Sequence, residues 1–62
     1  MTKLGTLRKA AGLTQQQLAD HMGVSRSTVA MWETGENAPS SKYLLELAKA
    51  LSCSLDEILK PA

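Results

Sequence analysis

Phenylalanine is absent from this 62-residue chain, and Trp32 and Tyr43 are its only aromatic residues. An all-β core would lack its usual aromatic and β-branched filling, whereas the abundant Leu, Ala, Gln, Lys and Glu favour helices. The single cysteine, Cys53, excludes an internal disulfide, and one cysteine with one histidine, His21, cannot assemble a structural zinc site. Apolar runs are only a few residues long, and the first residues are polar and interrupted by Gly5, so neither a membrane span nor a secretory signal is expected and the protein is read as cytoplasmic. Paired catalytic carboxylates, a glycine-rich phosphate loop and a cluster of metal ligands are also missing. An enzyme is therefore not expected, and neither a cofactor nor a small-molecule ligand is implied.

What is present fits one small domain spanning residues 1–62, close to the lower limit at which an apolar core holds without disulfides or metal. The formal net charge is only +1, too little to indicate a nucleic-acid partner by itself. Its distribution is uneven. Residues 1–35 carry Lys3, Arg8, Lys9 and Arg26 against Asp20 and Glu33, whereas residues 36–62 carry Lys42, Lys49 and Lys60 against Glu36, Glu46, Asp56 and Glu57. The first half is basic and the second acidic.

A capping pattern recurs four times. Thr14 precedes a helical run with Gln17 three residues on, the spacing of a capping box, and Leu13 can staple onto Leu18. Ser25 stands likewise with Val24 and Val29, Ser40 with Pro39 and Leu44, and Ser54 with Glu57 as box partner and Cys53 and Ile58 as staple. Gly12 and Gly23 supply left-handed helix ends. The pattern predicts five helices, at about 3–11, 15–22, 26–33, 41–51 and 55–59, with the turn-forming segment 35–40 as the longest connection. No room is left for a sheet.

Helical periodicity then selects Leu4, Leu7, Leu13, Leu18, Ala19, Met22, Val24, Val29, Trp32, Leu44, Leu47, Ala48, Leu51, Leu55 and Ile58 for the core. Each Leu or Ile buried contributes roughly 1.5–3 kcal/mol against a backbone entropy cost of about 1–2 kcal/mol per residue, so the caps matter. His21 and Asp20 are consecutive on a helix and do not face each other, which leaves His21 a solvated side chain rather than half of a catalytic dyad. Cys53, just before a cap, reads as a small buried residue, with a redox sensor as the alternative.

Within residues 14–34 a small residue, Ala19, sits four positions before the sharp turn at Gly23, and Val24, Val29 and Trp32 fix the second of the two helices inward: the packing of a helix-turn-helix. The segments LRKAAGLTQQQLA, GVSRSTVAMWETG, Pro39 after the loop, and LLELAKALSCSLDEIL resemble the DNA-binding domain of the phage repressor and Cro-type helix-turn-helix regulators. The likeness runs from Leu4 to about Leu59. It implies an all-α, compact, five-helix lambda-repressor-like fold whose third helix lies in the major groove of double-stranded DNA.

Carried over residue by residue, the resemblance places base reading on Arg26, Ser27 and Met31, with Thr28 beside them and Ser25 and Ala30 at the edge of the contact. Arg26 suits the O6 and N7 acceptors of guanine, Ser27 a base or a phosphate, and Met31 a thymine methyl. Phosphate contacts fall on Gln15, whose position often also bonds a neighbouring side chain of the third helix, and on Ser25, Thr34 and Asn37, with Lys42 a further candidate. Arg8 and Glu33 match a structural ion pair that orients the third helix. Ser52, Leu55, Leu59 and Pro61 match a homodimer interface, and a dimer implies a palindromic operator. The expected function is that of a sequence-specific transcriptional regulator, a repressor, in a bacterial or phage-infected cell. The alternative is a protein-interaction module, antitoxin-like or adaptor-like, that retains the fold.

Overall fold

The hydroxyl residues ahead of each apolar run stand at helix starts in the computed structural model, which describes residues 3–59. The helices are α1 (Leu4–Ala10), α2 (Gln15–Met22), α3 (Arg26–Thr34), α4 (Ser41–Leu51) and α5 (Leu55–Leu59), and there is no strand among the described residues. Their bounds differ from the expected ones by about a residue, the ordinary fraying of helix ends.

Thr14 forms the complete capping box: its hydroxyl accepts from Gln17 N at 3.0 Å while the Gln17 side chain accepts from Thr14 N at 2.8 Å. Ser25 Oγ accepts from Thr28 N at 3.1 Å, and Ser54 Oγ from Glu57 N at 3.2 Å. Ser40 departs from the expectation. It occupies the cap position of α4 but makes no side-chain cap bond; its carbonyl accepts from Leu44 N at 2.9 Å, and the buried Pro39 before it anchors the chain there.

Three junctions share one construction: a left-handed residue, a half-buried apolar residue, then a hydroxyl cap. At residues 12–14 and 23–25 the left-handed positions are Gly12 (φ 77°) and Gly23 (φ 71°); at residues 52–54 the position is Ser52 (φ 53°), which no glycine marks in the sequence. In each, the apolar residue donates its N–H to a carbonyl five residues back: Leu13 to Arg8 at 3.1 Å, Val24 to Ala19 at 3.0 Å and Cys53 to Ala48 at 3.0 Å. Those bonds satisfy last-turn carbonyls that would otherwise lack partners.

The helices then close on one core of Leu4, Leu18, Ala19, Val29, Trp32, Leu47, Leu51 and Ile58, with α2 packed on α3 and α4, α5 on α4, and α1 on α3. Leu7, Leu13, Met22, Val24, Leu44 and Ala48 pack against it half-buried, as do Tyr43, Ala50 and Cys53. Leu55 corrects the expected core, being 39% exposed. A five-residue helix covers little surface, and Leu55 is its first residue, at the rim; Ile58, a turn later, is the one fully enclosed.

Candidate nucleic-acid interface

Val29 and Trp32 fix how α3 is rolled, because both are turned into the core. At 3.6 residues per turn, residues 26, 27, 30, 31 and 34 then fall on the opposite side. Arg26 and Ser27 are accordingly exposed at its start, and Ala30 and Met31 are half-buried along it. Thr28 is half-buried, and its hydroxyl shares a 2.9 Å hydrogen bond with that of Ser25. The pair is occupied with the cap.

A polar network extends from Arg26 back into the protein. Arg8, only 8% exposed, donates from Nε to Glu33 Oε2 at 2.6 Å, from Nη2 to Glu33 Oε1 at 3.4 Å and from Nη1 to the Leu13 carbonyl at 2.7 Å. Gln15, the first residue of α2, donates from Nε2 to Glu33 Oε1 at 3.1 Å and accepts through Oε1 from Arg26 Nε at 3.4 Å. The carboxylate lies tight against α1: a Cβ on Gly5 would stand 3.1 Å from Glu33 Oε1. Arg8, Leu13, Thr14, Gln15, Gln16 and Arg26 line an open cleft of about 610 Å³ in front of this network. The Arg8–Glu33 pairing was expected from the resemblance. The resemblance also put Gln15 against a neighbouring side chain of the third helix, which is met by Glu33; the Gly5 approach was not expected.

A second group forms at the far end of α3. Thr34 Oγ1 donates to the Met31 carbonyl at 3.2 Å and lies 3.4 Å from Glu36 Oε1, and Asn37 Nδ2 approaches Met31 Sδ at 3.4 Å. Lys42 is exposed, with Nζ 5.7 Å from the centre of the Tyr43 ring, which packs on Trp32 at 5.4 Å. Of the residues assigned to a dimer contact, Ser52 and Leu55 are exposed at the α4–α5 junction; Pro61 and the side chain of Leu59 lie outside the described residues.

Charge at the helix starts sets α5 apart: α1, α2, α3 and α4 carry no acidic residue in the first turn, whereas α5 carries Asp56 and Glu57 there. An acid at that position stabilises a helix by about 0.3–1 kcal/mol; leaving it out keeps the positive end of the dipole available to another anion. His21 is exposed, and Asp20 accepts from Gln16 at 2.8 Å. Burial first, and the Glu57 carboxylate second, push the Cys53 thiol above its ordinary pKa, the opposite of what a reactive thiolate requires. Among the described residues there is no group of three metal-ligating side chains, and no helix is long and apolar enough to cross a membrane.

Residues 4–58 match the helix-turn-helix family. The chain is 40% identical over 57 residues to the HTH-type transcriptional activator BcrR of Enterococcus faecalis, a match covering 92% of this chain and 28% of that protein. It is 39% identical over 56 residues to the cryptic phage CTXphi transcriptional repressor RstR of Vibrio cholerae, covering 90% of this chain and 50% of the relative. Against the HTH-type transcriptional regulator YgzD of Bacillus subtilis it is 36% identical over 56 residues, covering 90% and 85%. The chain thus spans half or less of the first two relatives. No solved structure matches it.

Proposed function

Because the chain belongs to the helix-turn-helix family, we propose that it is the DNA-binding domain of a transcriptional regulator and reads double-stranded DNA with α3 in the major groove. One observation carries the reading: Arg26 stands exposed at the start of α3, beside Gln15 at the start of α2, and neither first turn contains an acid that would repel a phosphate. An α-helix such as α3, about 10–12 Å across with its side chains, fits a groove about 12 Å wide. Arg26 is assigned to guanine, Ser27 and Thr28 to the adjacent base edges, and Met31 to a thymine methyl. Ser25, Thr34, Asn37 and Lys42 flank this strip and are assigned to phosphates.

We assign a homodimer on a palindromic operator, since one such module spans few base pairs and useful specificity needs two half-sites about one helical turn apart. Leu45, 54% exposed, and Leu55, 39% exposed, are the large apolar side chains left in water among the described residues. Leu55 supports the α4–α5 junction as the contact. Relatives of both signs, an activator and a repressor, share the domain. Repression is the assignment, because a domain seated in the major groove of a promoter excludes polymerase without any further contact. Such a domain does no chemistry on its ligand.

The test begins with selection of bound sequences from a random duplex pool, where an enriched palindrome is expected. Arg26→Ala should then weaken binding to the selected duplex by about 10- to 100-fold, the worth of a bidentate guanine contact. Its thermal midpoint should stay nearly that of the parent. An unaltered affinity, measured at fixed salt, would overturn the assignment.

A further inference from the structure

Met31 is the one residue assigned to a base whose side chain has no hydrogen to donate, and that side chain is long, unbranched and adaptable. Left free, it would pack against many shapes and select among few. Here it is held. Asn37, in the loop after α3, reaches it at both ends: Asn37 N lies 3.4 Å from the Met31 carbonyl, and Asn37 Nδ2 donates to Met31 Sδ at 3.4 Å. Gly35 N at 3.0 Å and Thr34 Oγ1 at 3.2 Å converge on the same carbonyl, which ties the loop to that turn of the helix. Arg26, Ser27 and Thr34 are exposed on the outward side of α3, whereas Met31, beside Asn37, is half-buried.

We propose that Asn37 holds the Met31 thioether so that its terminal methyl reads the 5-methyl group of a thymine, which makes Asn37 a positioning residue for base recognition. This rests on the reading of α3 as the helix in the major groove. It adds to the phosphate assignment of Asn37, since an amide nitrogen carries two hydrogens and the sulfur takes only one. A thioether is a weak acceptor, so the bond does little for stability; its effect is on direction. With the sulfur turned to the amide, the methyl is the end left to meet the groove, and rotamer freedom otherwise lost on binding is given up beforehand. The two roles of Asn37 predict different losses. A phosphate contact weakens binding to every sequence alike, whereas a positioning contact matters only where the thymine methyl is present.

The experiment compares the selected duplex with copies in which each thymine in turn is replaced by deoxyuridine, which removes the 5-methyl group and keeps the pairing. At one thymine of each half-site the parent protein should lose about 3- to 5-fold in affinity, the worth of one methyl group taken out of water. Met31→Ala should erase that difference. Asn37→Ala and Asn37→Asp, neither of which can donate to the sulfur, should reduce it to under about 2-fold, whatever uniform loss accompanies it. Asn37 is exposed and its φ is not positive, so both variants should fold. In the free protein, the ε-methyl resonance of Met31 should shift in both. A parent-like preference for thymine in the Asn37 variants, or an unmoved resonance, overturns the positioning role and leaves the DNA reading standing. A parent indifferent to deoxyuridine at every thymine removes the methyl contact and the role of Asn37 with it. If the parent binds no duplex selectively, the DNA reading falls as well.

Discussion

The junction between α2 and α3 and the junction between α4 and α5 are built alike and used differently. Each runs from a left-handed residue through a half-buried apolar residue to a serine cap, with the same backbone bond reaching five residues back. They differ in the three residues after the cap. Ser25 is succeeded by Arg26, Ser27 and Thr28, with no acid, and Ser54 by Leu55, Asp56 and Glu57. The same turn therefore leads into two unlike helix starts: the positive pole of α3 meets no carboxylate in its own first turn, and that of α5 meets two. They differ in backbone strain as well, since the first uses Gly23 where the second uses Ser52.

The largest effect is expected at the buried ion pair behind α3; the pair at the second junction, Lys3 Nζ 3.7 Å from Glu57 Oε2, is far more exposed. Glu33→Ala leaves the Arg8 guanidinium, 8% exposed, without its partner, and should cost about 3–5 kcal/mol in a urea titration. For so small a domain that removes most of the folded population. A loss under about 1 kcal/mol would place the pair in the class of exposed ion pairs.

Exchanging the left-handed residues tests the two turns directly. A methyl group added at Gly23 meets open space, so only conformation counts. Gly23→Ala should destabilise by about 1 kcal/mol, because the left-handed penalty of about 1–2 kcal/mol exceeds the unfolded-state entropy that glycine forfeits. Ser52→Gly should stabilise by about 0.5–1 kcal/mol by the converse reasoning. Equal shifts of the same sign in thermal midpoint would show that the two turns are not equivalent.

The smallest effect on folding belongs to Leu55. Leu55→Ser should leave the stability of the monomer within about 0.5 kcal/mol, as for other exposed sites, yet lower self-association in sedimentation. Unchanged association would remove the α4–α5 junction from the dimer contact.

The helices were legible because their signals are local. Thr14 with Gln17, and Ser25 before Val29, announce a start within four residues, and the left-handed ends at Gly12 and Gly23 arise from glycine itself. Ser40 shows the limit of such reading, since the cap position was right and the expected bond was not made. Leu55 shows another: periodicity puts it on the same face as Ile58, but a one-turn helix at the edge of the core buries only the second of them. Arg26 and Ser27 were legible as surface residues of α3 once Val29 and Trp32 were read as inward. Which side chain of the third helix Gln15 meets was not, because Glu33 lies across the turn and 18 residues along the chain.

Five helices without a sheet, an apolar stripe on each of the longer helices, and a basic first half were all set by the sequence alone. Each depends on neighbours within a turn or two, where propensity, capping and periodicity operate. The meeting of Arg8, Gln15, Arg26 and Glu33, from three helices, in one hydrogen-bonded network was decided by tertiary structure, as was the closure of Gly5 of α1 behind it. Such a meeting depends on how α1 and α2 dock on α3, which the packing of Leu4, Leu18, Ala19, Val29 and Trp32 sets jointly and no single segment encodes.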